Sequence, residues 1–172
     1  MKKLIIFTVI ILLSAEVIYS LHTPLPMAQY NLALGLYMKG HYHSAVKEFR
    51  NLINEHPESE KYLSRGRYWL GLSYLAIKKY KLARDNFSYV INHFPRSLYY
   101  IDSIYQLGRT YYQWNKRNTA IKYFKKVHKR YPGHELADNS LLWEGVSYYK
   151  LNNKDSALSR FYTILKKYPK GN

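Results

Sequence analysis

Apolar residues in this chain recur at helical spacing, in short segments punctuated by turn residues at nearly even intervals. Between Lys116 and Arg130 the side chains of Ala120, Ile121, Phe124 and Val127 form one apolar stripe. Lys122, Lys125, Lys126 and Lys129 follow i, i+3, i+4, i+7 spacing and share the opposite face. Such a segment is an amphipathic helix with one side for a core and one for water. Turn sequences such as Lys39-Gly40-His41 and Leu151-Asn152-Asn153 divide the chain into paired helical segments, A and then B. An all-α protein built from helical hairpins is predicted.

The hairpins are copies of one unit. An Ala followed four residues later by Phe and eight beyond that by Pro occurs at Ala45, Phe49, Pro57 and at Ala83, Phe87, Pro95. It recurs at Ala120, Phe124, Pro132 and at Ala157, Phe161, Pro169, with spacings of 38, 37 and 37 residues. At roughly 5% for each residue type, one such match has odds of about one in ten thousand. Four in register exclude chance. Twelve residues before each Ala stand Ala33, Gly71, Gly108 and Gly145. Small residues at both fixed points let paired helices approach closely, the Phe fills the space between them, and Pro stops helix B. No hairpin of this kind hides its apolar side alone, so stacking of neighbours must supply the stability.

Leu70-Gly71-x-x-Tyr74 and Leu107-Gly108-x-x-Tyr111 continue into the Ala-x-x-x-Phe and Pro positions, while repeat four keeps Gly145 and Tyr148 with Glu144 in place of Leu. This arrangement resembles the tetratricopeptide repeat. The resemblance covers residues 27–169 and implies a right-handed superhelical solenoid of four hairpins, at about 27–57, 60–95, 98–132 and 135–169. The usual repeat has 34 residues with Trp four before Gly. Here those positions hold Gln29, Arg67, Ile104 and Leu141, and Trp69 and Trp143 sit two before Gly. The extra residues precede each Gly, so helix A is expected to be about a turn longer. Long repeats with Pro-x-Ser linkers, as in Pro57-Glu58-Ser59 and Pro95-Arg96-Ser97 though not Pro132-Gly133-His134, are similar to two bacterial envelope proteins. They are the repeat lipoprotein of the outer-membrane β-barrel assembly machine and the periplasmic coordinator of the Tol–Pal constriction system.

The beginning of the chain differs from the repeats. Lys2 and Lys3 precede an apolar run from Leu4 to Leu13, followed by Ser14, Ala15 and a mixed stretch to Ser20. Residues 1–20 are predicted to be a secretory signal, with residues 21–26 as a short linker; the alternative is an uncleaved anchor. The run is shorter than the roughly twenty residues that span a bilayer. Export to the periplasm follows, possession of a lipid anchor does not: Glu16 stands where a lipidated Cys would be required, and the chain has no Cys. Disulfides and thiolate metal sites are excluded too.

Lys and Arg number 27 against 11 Asp and Glu, a net charge of +16. Two readings stand. The charge favours an anionic surface, envelope polymer or acidic protein; alternatively it reflects an A/T-rich genome, which also enriches Ile, Asn and Tyr.

In the repeat architecture that the resemblance implies, A helices line a concave surface. The candidate partner-binding groove comprises Tyr30, Leu34 and Tyr37 of repeat one and Arg65, Tyr68, Trp69, Leu72 and Leu75 of repeat two. It continues through Asp102, Tyr105, Arg109 and Tyr112, then Asn139, Leu142, Trp143, Val146 and Tyr149. Aromatics interleaved with Arg suit an extended peptide or a partner's helix, with another envelope protein as the expected source. Tyr30 and Leu34 replace the Lys and Asn with which chaperone-tail domains of this family grip a carboxylate. The basic patch Lys122, Lys125, Lys126, Lys129 is a second candidate surface. Leu158, Tyr162 and Leu165 are expected on the face where a fifth repeat would dock, a site for self-association or a partner.

Catalytic signatures, phosphate loops and zinc-protease motifs do not occur in the sequence. His41 and His43 form a lone His-x-His, a weak metal pattern. No enzyme activity, cofactor or metal is expected. Nucleic acid is a class-crossing alternative for a basic, Tyr-rich chain, disfavoured by the export pattern.

Overall fold

The computed structural model describes residues 25–168, and the proposed signal and most of the linker lie outside them. Among the described residues there are helices and turns and no strand. The helices are α1 (Pro26–Met38), α2 (Tyr42–Glu55), α3 (Glu60–Ala76), α4 (Tyr80–His93), α5 (Tyr100–Gln113), α6 (Arg117–Arg130), α7 (Ala137–Lys150) and α8 (Lys154–Lys167). They pair as four A–B hairpins. Each helix packs against the one before and the one after, and the A helices α1, α3, α5 and α7 also touch in sequence. The B helices make no matching contact with one another among the described residues. The row of A helices is therefore the inner side of the stack.

The turn inside each hairpin is the same backbone device four times. Gly40, Lys78, Asn115 and Asn152 sit in one register with φ of 79°, 59°, 62° and 60°. After α3, the Lys78 amide donates to the Leu75 carbonyl at 3.0 Å and the Lys79 amide to the Tyr74 carbonyl at 2.8 Å. Equivalent pairs close the other three turns, the double bond of a Schellman cap. Gly and Asn suit the left-handed conformation; Lys78 occupies it with a Cβ penalty.

The Phe of each repeat fills its hairpin. Phe49, Phe87 and Phe124 are fully buried. A Cβ added to Gly71 would lie 2.7 Å from Phe87, and one on Gly108 2.6 Å from Phe124. Only glycine lets the A backbone sit directly on the ring. Burying each ring contributes about 1.5–3 kcal/mol. Pro57, Pro95 and Pro132 each follow a single residue after helix B, which has left the helical conformation with φ near −129°, as a following proline favours.

One expectation is corrected. Only α3, with 17 residues, is lengthened; α5 and α7 have 14. In repeats three and four the additional residues form a second turn, closed by bonds from the Tyr100 amide to Ser97 and from the Ala137 amide to His134.

A ring-lined face on the A helices

The predicted groove residues divide by depth. Tyr30, Tyr68 and Tyr105, one register in three repeats, are core residues, as is Leu75. The tyrosine rings stand 6.3, 5.9 and 5.9 Å from Phe49, Phe87 and Phe124 of their own hairpins. Tyr30 and Tyr68 also meet Tyr62 and Tyr99 of the following repeat, at 6.3 and 4.7 Å. They are wedges between hairpins, which removes them from any groove floor. Burial pushes the Tyr68 phenol well up, and burial together with Tyr99 pushes Tyr30 up to about 12. Leu142 holds the same register in repeat four and is 42% exposed, since no further repeat lies over it among the described residues.

The face itself is built from the remaining positions. Leu34, Tyr37, Arg65, Trp69, Leu72, Arg109, Tyr112 and Trp143 are half-buried, and Tyr149 is exposed at the end of the row. Two ring pairs join successive A helices edge to face: Tyr37 to Trp69 at 5.1 Å and Tyr112 to Trp143 at 5.0 Å. The Arg109 guanidinium lies 5.3 Å over Trp143, Arg117 lies 4.0 Å over Tyr112, and Arg65 lies 5.7 Å over Tyr30. These contacts fix the rings and orient the guanidinium groups, whose donors remain suited to carboxylates or carbonyls.

Beside the Tyr37–Trp69 pair lies a depression of about 490 Å³, lined by Leu72 and Leu75 together with Tyr37, Trp69, Lys78, Gln106 and Arg109. Gln106 was not singled out from the sequence. It stands in the register of Trp69 and Trp143, two before the conserved-phase glycine, and that phase was the available signal. Apolar side chains, an amide and a guanidinium together offer the groups that an extended backbone would pair with.

The other candidates separate clearly. Lys122, Lys125 and Lys129 are exposed on α6 and Lys126 is half-buried. Two neighbouring cations are absorbed by rings, Lys116 at 3.9 Å over Trp114 and Arg117 over Tyr112. Leu158 and Leu165 are 52% and 69% exposed, and Tyr162 is exposed beside them. Tyr162 sits in the register of the exposed Arg50 and Lys125 and the half-buried Ser88. His41 and His43 are exposed, and no metal-binding cluster exists among the described residues. No described helix is long and apolar enough to cross a membrane.

The seam between repeats three and four holds a buried ionic cluster. Glu144 is fully buried between repeats three and four, 2.5 Å from His128 Nε2 and 2.9 Å from Arg160 Nε. Burial opposes its ionisation, but the bonds from His128 and Arg160 outweigh that and hold the carboxyl below its ordinary range. The departure of Glu144 from the Leu70 and Leu107 register was visible; its two partners, sixteen residues away on either side, were not.

Comparison with known proteins supports the same architecture. A family model for the tetratricopeptide repeat matches residues 27–59, 66–97, 102–134 and 139–171. A comparison with curated proteins returns no match. Among solved structures the fold is similar to MamA from Desulfovibrio magneticus RS-1, at 21% identity and TM-score 0.70 over 83% of this chain and 75% of that one. Another MamA structure has 19% identity and TM-score 0.74 over 90% and 85% of the two chains. YrrB, described as a repeat protein with an unusual peptide-binding site, has 19% identity and TM-score 0.67 over 84% and 70%. Identities of this order establish a shared fold, and the fourfold family match along the whole stack settles the classification: the chain belongs to the tetratricopeptide-repeat family.

Proposed function

We propose that the protein is a non-enzymatic adaptor, exported to the bacterial cell envelope, that holds a segment of another envelope protein along its A-helix face. The observation that carries this reading is the depression beside the Tyr37–Trp69 pair, with Arg109 and Gln106 in its lining, on the A-helix face that also bears the Tyr112–Trp143 pair. Rigid rings provide contact area at small entropic cost, and the polar groups match the unpaired backbone of an extended guest. Support for the location comes from the charged start, the apolar run and the long repeats with Pro-x-Ser linkers, which are similar to those of proteins in outer-membrane assembly and division coordination. An acidic guest is favoured by Arg65, Arg109 and the net charge of +16.

The test is in-cell photo-crosslinking of the full chain, with the photoreactive residue at Gln106 or at Lys125. Polypeptide adducts at position 106, absent at 125 and lost in a Trp69→Ala, Trp143→Ala variant, are expected. Adducts at 125 alone would move the site to the basic face of α6, and no polypeptide adduct at either position would overturn the adaptor reading.

A further inference from the structure

The two ends of the stack carry the two halves of the interface that joins its repeats. Inside the protein, that interface is formed when a B helix receives the next A helix. A small residue of the A helix lies against an apolar residue of the B helix: a Cβ on Gly66 would stand 3.0 Å from Ile53. One turn on, Leu70 and Leu107 are 3% and 1% exposed, and Glu144 in the same register reaches His128 of α6.

The first A helix keeps this face although no repeat among the described residues precedes it. Ala28 stands in the register of Gly66, Ser103 and Ser140, and Leu32 in the register of Leu70 and Leu107. Leu32 is 56% exposed, and Leu25, in the register of Leu63, is exposed beside it. At the far end the receiving face is equally bare. Leu165 takes the register of Ile53, Ile91 and His128, and Phe161 is only half-buried where its three counterparts are fully covered. Leu158 and Leu142 extend the same surface.

We infer that these ends bind one another: α1 of one copy docks on α8 and α7 of a second, continuing the repeat order from chain to chain. The occupant is a second copy because the fold itself shows what this face receives, an A helix with a small residue and a leucine one turn apart. α8 carries Lys154, Asp155, Lys166 and Lys167 and an Arg160 paired with Glu144, and α1 has no charged side chain, so no like-charge pair opposes the contact locally. The contact is head-to-tail, so it builds open rows instead of closed dimers. With +16 on every copy, long-range repulsion opposes the contact, and added salt should strengthen it.

The chain has no cysteine, so single cysteines report cleanly. Full-length Leu32→Cys and Leu165→Cys chains are treated with a short bis-maleimide, separately and as an equal mixture. Lys125→Cys replaces one partner as the collision control. Dimer product is expected in the mixture well above both single chains and the control, rising with salt, and a Leu32→Cys, Leu165→Cys chain should give a ladder. Sedimentation of the wild-type protein should show mass increasing with concentration. A mixture no better than the control overturns the inference. So does equal product from either chain alone, which would mean symmetric pairing, or a monomer mass from micromolar to millimolar concentration.

Discussion

Replacing Gly108 by Ala tests the physical basis of the hairpin most directly. The new methyl would lie 2.6 Å from Phe124 Cε1, 2.7 Å from Cδ1 and 3.0 Å from Cζ. Carbon atoms settle at about 3.5–4.0 Å, so the ring or the helix must move by on the order of 1 Å. Phe124 is fully buried, and overpacking of this kind costs about 1–3 kcal/mol. Alanine returns about 0.5–1 kcal/mol through helix propensity and a stiffer unfolded chain. A net loss of up to about 2.5 kcal/mol is expected, read as a lower urea midpoint with an unchanged slope. Gly35 provides the control, because nothing lies within 4 Å of its added methyl. Gly35→Ala should therefore raise stability by about 0.5–1 kcal/mol. Repeat one already houses Ala33 in the Gly108 register, so the cost belongs to a ring seated for glycine and not to the register itself. Adding Phe124→Leu should make the alanine tolerable, giving a favourable coupling energy in a double-mutant cycle. If Gly108→Ala stabilises the protein as much as Gly35→Ala, close approach to the ring is not what selects glycine.

The remaining predictions concern the turns, the ionic cluster and the wedges. Lys78→Gly removes the left-handed penalty at φ 59° and should raise the urea midpoint by the equivalent of about 1 kcal/mol. Glu144→Gln should cost about 2 kcal/mol at neutral pH by weakening two charge-assisted bonds. The folded carboxyl lies below its unfolded value, so the unfolded state binds more protons in the acid range. The stability from Glu144 is thus complete above the unfolded value and lost as pH falls towards the folded one; the gap between wild type and variant should close on acidification. Tyr105→Ala should cost about 3–5 kcal/mol as a core truncation. Tyr149→Ala, 59% exposed, should change stability by no more than about 0.5 kcal/mol.

The fold was legible because each repeat restates it. Ala45, Phe49 and Pro57 carry little information alone, but four copies in phase identify the hairpin, its packing centre and its stop. The face was legible in composition and poorly in depth. Tyr68 and Trp69 are adjacent aromatic residues on one helix, yet one is a buried wedge and the other a half-buried ring of the A-helix face. That difference depends on where the next hairpin lies, which helical spacing within one segment does not encode. Glu144 was hidden for the same reason, since its partners belong to helices on either side. The length of α5 was misjudged because additional residues can extend a helix or close a turn, and the backbone bond from Tyr100 to Ser97 decides for the turn.

Every described helix leans only on its immediate neighbours and, along the inner row, on the next hairpin. Damage to one joint is therefore not shared across the whole body. Under load or denaturant the structure should fray from its termini inward, one hairpin at a time, with the middle two holding longest. Such an object behaves as a short jointed rod whose stiffness can be tuned one seam at a time.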